Sequence, residues 1–424
     1  MTDHFDIRAA DEKFLWHPYT QHGASDVPIP IARASGAYLY DPSGRAIFDA
    51  ISSWWVTLHG HAQPEVAAAI AEQARTLEQV IFAGFTHEPG ARLAAELVAR
   101  APTGLQRVFF SDDGSTAVEV AVKIALQYWQ NRGEDRRLIA ALENAYHGDT
   151  FGAMSVSARS LFTDPFAAKL FEVARLPDPV EGDVVAALEE LIAQREGDLA
   201  AVIVEPLLLG AGGMRMWAPS ALRALREVTA AHGILLIADE VLTGFGRTGP
   251  LFACEHAGIS PDLMCLSKGL TAGFIPLSAT LATEPLFAAF RSDDHSKTLF
   301  HGHSFTANPI SCAASLASLS LLDESSAARR RQIEQEHRCA AEHLAALPGV
   351  ENVRVLGTVL ALDFQTSHGG YLSNIGPALK RFALDRGVLL RPLGNTAYVL
   401  PPYCSTAADL ARAYDVIADF ARTR

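Results

Sequence analysis

Short apolar runs recur along the chain at 108–110, Leu138–Leu142, Ala201–Val204, Ile234–Ala238 and Leu263–Leu266, with helical spacing of apolar residues between them. Runs of that length without polar alternation fit strands covered on both faces. The alternation predicts a doubly wound α/β sheet, mostly parallel and flanked by helices. Ligands of such sheets gather outside the carboxyl ends of the strands. There the runs deliver polar residues: Ser111–Ser115, Glu143–Asp149, Glu205–Pro206, Asp239–Glu240 and Ser267–Gly269.

The remaining pattern divides the chain. Residues 1–60 read as an N-terminal segment with a hairpin, 61–323 as the large α/β domain and 324–424 as a smaller α+β domain, which the hairpin is expected to join. In the first part, Pro18 predicts an extended Trp16–Thr20, and Asp41–Arg45 is turn-like between Ala37–Tyr40 and Ala46–Asp49. Were Ser52–Trp55 extended, its adjacent tryptophans would face opposite sides, so at most one would meet a ligand. Helices are predicted over Ala62–Leu77, Glu88–Arg100, Thr116 to about Gln130 and Asn308–Leu322. From Glu324 a charged helix is followed by strands Val353–Leu356 and Val359–Phe364 and a helix Gly376–Arg386. A strand pair around 388–392 and 398–400 and a last helix complete the chain.

Charge and composition narrow the class. The 424 residues carry 35 basic and 48 acidic side chains, a net charge of −13, with a pI near 5.6 and a mean hydropathy of +0.13. An acidic chain without a basic run opposes nucleic-acid binding. No apolar run reaches membrane-spanning length, and the acid-bearing start resembles neither a signal nor a transit peptide, so a cytoplasmic enzyme is expected. Five cysteines, Cys254, Cys265, Cys312, Cys339 and Cys404, show no C-x-x-C spacing and read as buried thiols.

Asp239 and Lys268 put an acid and an amine at the same sheet edge. A pyridoxal phosphate aldehyde needs a lysine to hold it, and an acid to keep its pyridine nitrogen protonated. Of only six lysines, Lys268 alone ends a strand and precedes a glycine. Taken singly, it is equally a surface lysine after a buried strand. Gly244–Gly249 matches G-x-G-x-x-G and raises the alternative of a dinucleotide-dependent dehydrogenase, but its first glycine does not leave the strand directly and no helix opens at its last. Gly114–Ser115 at a helix start suits a phosphate, or is an ordinary cap. Tyr146 suits stacking on a flat ring, with His147 and Asp149 orienting it or bonding neighbouring loops. His59/His61 and His301/His303 lack a further ligand in sequence, so no metal is expected. Arg391, between an apolar strand and Pro392, suits a substrate carboxylate or a surface ion pair.

The strand with ADE-x-x-T-GFGRTG, the SKG lysine, the GS loop, YHGDT and EP-x-x-x-GAGG together resemble the class III, fold-type I pyridoxal phosphate aminotransferases across nearly the whole chain. WHPYT, SSWW, HGHSF and the late RP-x-G-x-x-x-Y run are similar to the branch of biotin biosynthesis that carries an amino group from S-adenosylmethionine to 8-amino-7-oxononanoate. The resemblance implies that Lys268 binds the cofactor and moves the proton, that Asp239 pairs the pyridine nitrogen, that Tyr146 stacks on the ring and that Gly114 and Ser115 cradle the phosphate. Gly302 and Ser304 would reach the phosphate of a second copy's cofactor, implying a homodimer with shared sites. Tyr19, Trp54 and Tyr398 would wall the substrate pocket, Tyr19 taking part in catalysis, and Arg391 would hold the acceptor's carboxylate. Class III enzymes acting on ω-amino acids, or using lysine as donor, are the alternative. Asp113, Leu209 and Ser304 stand where the family more often has a small neutral residue, glutamine and threonine. A carboxylate at 113 is expected to turn away from a phosphate or to weaken its binding.

Overall fold

A computed structural model describes residues 5–23, 27–367 and 369–424. The start of the N-terminal segment, residues 1–4, lies outside them. The large sheet has seven strands: Leu105–Ser111 (β1), Leu138–Leu142 (β2), Val173–Leu176 (β3), Leu199–Val204 (β4), Leu235–Asp239 (β5), Leu263–Leu266 (β6) and Ser278–Thr283 (β7). Their spatial order is β1-β7-β6-β5-β4-β2-β3. β7 runs antiparallel to both neighbours, and the other pairings are parallel. β2, β4, β5 and β6 are buried throughout, as their unbroken apolar sequences require.

All five expected strands form, and two more join them. β3 is a partly exposed edge strand with an arginine in its middle, so it has no apolar run. β7, SATLAT, is almost wholly buried but made of small and hydroxyl-bearing residues. Its hydroxyls find partners inside: Ser278 Oγ lies 2.7 Å from Ser111 Oγ, and Thr280 Oγ1 donates to the Ala117 carbonyl at 2.8 Å. Satisfied hydroxyls let a polar-looking strand occupy the middle of a sheet.

The helix after β1, Gly114–Asn131, is fixed at its start by a capping box: Thr116 N donates to Asp113 Oδ1 at 2.9 Å, and Asp113 N to Thr116 Oγ1 at 3.0 Å. Asp113 is thus spent on its own helix. Val118, Val122 and Ala125 bury its inner face against the sheet, and Trp129 Nε1 donates to the Ala200 carbonyl on β4 at 2.9 Å.

Tyr38–Tyr40 and Ala46–Asp49 form the expected hairpin, and Val388–Leu389 pairs in parallel with Phe48–Asp49. The expected pairing of 388–392 with 398–400 does not occur. Pro392 lacks an N–H and Gly394 turns the chain at φ 63°, so Thr396–Val399 pairs instead with Val359–Phe364. Trp16–Thr20 is not extended either: Pro18 and Tyr19 make a turn, Tyr19 has φ 51°, and Thr20 Oγ1 donates back to the Pro18 carbonyl at 2.9 Å. Nor is Ser52–Trp55 extended, since Ser52, Ser53 and Trp55 take φ of 53°, 60° and 68°. Cys339, on a charged helix, and Cys404, in a turn, are exposed rather than buried; the other three cysteines are buried. Among the described residues no helix is long and apolar enough to cross a membrane.

Candidate active site

The carboxyl ends of β1, β2, β4, β5 and β6 surround a cavity of about 430 Å³. Lys268, Asp239, Gly114, Ser115 and Tyr146 all line it, together with Trp55, His147, Gly148 and Glu205. β5 and β6 are paired neighbours, with Asp239 opposite Cys265, so the acid and the amine leave adjacent strands. Strand alternation separates the two adjacent acids. Glu240 turns the other way, where Ala253 N, Cys254 N and Thr243 Oγ1 all donate to its buried carboxylate. Asp239 faces the cavity.

Hydrogen bonds fix the cavity's charges. His147 Nδ1 lies 2.7 Å from Asp239 Oδ2, and Val241 N donates to Asp239 Oδ1 at 3.1 Å. His147 is therefore the orienter of Asp239 rather than of the tyrosine ring, and its Nε2 is buried without a partner. Burial holds the Lys268 amine below the usual lysine range, although Asp239 and Glu205 pull it upward. The residue itself sits at φ 41°, a backbone state costing about 1–3 kcal/mol outside glycine. Burial also pushes the Glu205 carboxyl up to about 7, against the amides of Tyr146 and Gly210, which donate to it at 2.9 and 3.0 Å.

The other end of the cavity is a helix start. The amides of Gly114 and Ser115 precede the first internal bond of an 18-residue helix, where the macrodipole favours an anion. Ser115 Oγ accepts from Asp149 N at 3.1 Å. Gly148 packs on that serine so closely that a Cβ would lie 2.2 Å from Ser115 Oγ, and its φ of 131° suits glycine alone. The donor set fits an acidic group at one end and a protonated ring nitrogen at the other, as pyridoxal phosphate presents them.

Above the cavity stands an aromatic wall. Trp55, rather than the Trp54 that the resemblance singled out, lies over the Lys268 Nζ at 4.8 Å and donates its indole N–H to Tyr398 Oη at 2.9 Å. Tyr398 is fully buried behind it rather than facing the cavity. Trp54 is partly exposed, 5.6 Å edge-on from Tyr19, and carries the Arg391 guanidinium at 3.6 Å over its ring. Tyr19 Oη donates to Asp149 and lies 3.3 Å from Tyr146 Oη. Burial and Asp149 push its phenol up to about 12. Trp54, Tyr19 and Arg391 do not line the inner cavity. A wider vestibule of about 770 Å³ shares Tyr146, Gly148 and Ala211 with it.

Gly302 and Ser304 also lie outside the cavity of their own chain. Their loop touches the site's rim through His303 Nε2, 3.5 Å from Asp112 Oδ1. No cluster that could hold a metal ion is present among the described residues. Leu209, in place of glutamine, is fully buried in a two-stranded ribbon with Arg215–Met216.

Comparison with known proteins agrees with this geometry. Residues 19–420 match the family described as aminotransferase class-III. The adenosylmethionine-8-amino-7-oxononanoate aminotransferase of Synechococcus elongatus is 53% identical over 416 residues, 96% of this chain and 97% of that one. The protein of the same name from Mycobacterium leprae is 42% identical over 98% and 96% of the two chains. Among solved structures, the enzyme of that name from Methanocaldococcus jannaschii superposes with a TM-score of 0.94 at 32% identity, covering 98% of each chain. An omega transaminase from Pseudomonas jessenii, solved in complex with PMP, gives 0.93 at 26% identity over 99% and 98%. The fold is that of these enzymes, and the chain belongs to the class III aminotransferases.

Proposed function

We propose that this aminotransferase binds pyridoxal phosphate in the inner cavity and moves an amino group from S-adenosylmethionine to the ketone of 8-amino-7-oxononanoate, a step of biotin biosynthesis. The observation that carries this reading is the 53% identity, over nearly the whole of both chains, to a relative bearing that activity in its name. The cavity supports it. Pyridoxal phosphate, when bound, supplies an aldehyde that takes up an amine and a ring that draws electrons from the carbon bearing it.

The chain's own residues do the rest. Lys268, whose amine burial holds below the usual lysine range, would be the residue that holds the aldehyde and moves a proton to and from the substrate carbon. Asp239, held by His147 and Val241, would keep a proton on the pyridine nitrogen. Gly114 and Ser115, at the helix start, would hold the phosphate, and Tyr146, which lines the same cavity, would cover the ring. Tyr19 and Trp54 wall the approach, and Arg391 offers a planar cation to a carboxylate. A sulfonium donor suits such walls, since cations are drawn to aromatic faces.

A homodimer completes the reading. Gln79 Nε2 donates to the Ser304 carbonyl at 2.6 Å and Asn308 Nδ2 to the Glu78 carbonyl at 2.9 Å, which joins two loops. Those loops expose Ile81, Phe85, Phe300 and Phe305 beside the site's rim. An apolar patch of that kind suits burial against a second copy, which would bring Gly302 and Ser304 to its neighbour's phosphate.

The test adds donors singly to the purified protein and follows the cofactor's visible absorbance. Conversion by S-adenosylmethionine, followed by return of the band with 8-amino-7-oxononanoate, is expected. Conversion by lysine alone, or by ω-amino acids with no response to the oxo acid, overturns the donor or the branch respectively.

A further inference from the structure

The GFGRTG run has no part in the site as described, yet it carries a buried cation. Arg247 is 1% exposed and makes no ion pair among the described residues. Its Nη1 donates to the Pro401 carbonyl at 2.9 Å, and its Nη2 to those of Trp55 and Thr57 at 3.3 and 3.2 Å. These carbonyls belong to the turn bearing both tryptophans and to the stretch just after Tyr398. At the start of that turn Asp49, wholly buried, accepts from Ile51 N at 3.3 Å, Ser53 N at 2.7 Å and Ser53 Oγ at 3.2 Å, with His61 Nε2 at 2.8 Å.

Between the two charges, three of four successive residues, none of them glycine, hold positive φ. A backbone of this kind persists only where surrounding groups over-determine it. An anion on its first amides and a cation on its last carbonyls do so. What the turn delivers is Trp55 over the Lys268 amine and Trp54 under Arg391.

We propose that Asp49 and Arg247 are positioning residues for transamination, clamping the two ends of the 52–57 turn so that its tryptophans cover the lysine and carry the carboxylate-binding arginine. The kinetic part of the test rests on the substrates proposed above; the structural part does not.

Arg330 is the control. It is also buried, at 7% exposure against 1%, and faces the same Tyr403 ring, at 5.6 Å against 5.2 Å for Arg247, but its hydrogen bond goes to Ser326 of its own helix. R247M, R247K, D49N and R330M are compared by kcat and KM for both substrates, and by hydrogen exchange of amides 51–58 in cofactor-free protein. R247M and D49N are expected to speed exchange in that segment about tenfold and to lower kcat/KM about tenfold, mostly through the KM of the oxo acid. R247K should recover part of both, since an ammonium reaches fewer of the three carbonyls. R330M should lower Tm while leaving both readouts as in wild type. The clamp is refuted if exchange over 51–58 stays at the wild-type rate in R247M or D49N, or if their kinetics change no more than those of R330M. Should R247M not fold, R247K and D49N decide. A wild-type enzyme inactive on these substrates would sink the functional reading, with hydrogen exchange still deciding the clamp.

Discussion

The sheet edge lines the inner cavity, the aromatic wall reaches it only through Trp55, and the two are built by different means. At the edge, backbone places the chemistry: Asp239 is the last residue of a buried strand, Lys268 follows another, and backbone amides or a buried ring tie down Asp239 and Glu205. In the wall, side chains place one another: Arg391 on Trp54, Trp54 on Tyr19, Tyr19 on Asp149. On the proposed reading, reaction chemistry would sit on strand ends and substrate choice on loops above them, as function on loops over a fixed scaffold generally does.

If that contrast holds, substitutions at the edge should strike kcat and those in the wall KM. The largest effect is expected for Lys268→Ala, which should fold normally and lose at least about 10⁴-fold in turnover, since no other lysine lines the cavity. Steady-state rates with added cofactor check it, and appreciable turnover without an exogenous amine would undo the assignment. Asp239→Asn should follow, with kcat lower by about 10²–10³ and KM little changed.

Glu205 tests the edge without any substrate. Its carboxyl, raised from 4.5 to about 7, keeps a proton in the folded state that the unfolded chain has released. Its contribution to stability therefore falls as pH rises from about 4.5 to about 7, by about 3 kcal/mol in all. Denaturant titrations of cofactor-free protein across that window should show this slope, and Glu205→Gln should flatten it. An equal slope in both would mean that the acid is ionised in the fold.

In the wall, Arg391→Ala should raise the KM of the oxo acid by about 10–100-fold, the worth of a charge-assisted pair of 1.5–3 kcal/mol, with kcat nearly kept. Unchanged KM would move the carboxylate elsewhere. Smallest is Tyr19→Phe, which removes one hydrogen bond to Asp149 and should cost about fivefold in kcat/KM, or about 1 kcal/mol. A kcat loss as large as that of Asp239→Asn would place Tyr19 with the edge and end the division.

The edge was far more legible in the sequence than the wall, for the same reason. A strand covered on both faces must be continuously apolar, so its end, and whatever follows, can be read directly; Asp239, Lys268 and Glu205 emerged that way. β7 did not, because its burial depends on partners for Ser278 and Thr280 contributed by Ser111 and by the helix after β1. The wall depends on backbone states that composition does not announce. With Ser52, Ser53 and Trp55 at positive φ, it is Trp55 that lines the cavity beside the lysine while Trp54 lies outside it, a choice that an extended backbone could not have told. The resemblance put Tyr398 in the wall of the pocket; the structure buries it behind Trp55.

The reversed strand has one more consequence. Because β7 starts where β6 ends, the chain leaves the sheet at Ser267 and returns at Leu277, and Ser267 Oγ donates to the Leu277 carbonyl at 3.0 Å, closing the neck of this excursion. Residue 268 is thus mounted on a tethered ring of chain, with its anchor knotted shut beside it. If Lys268 carries the proposed chemistry, its methylene arm is the part free to travel without disturbing the register of β6 and β7.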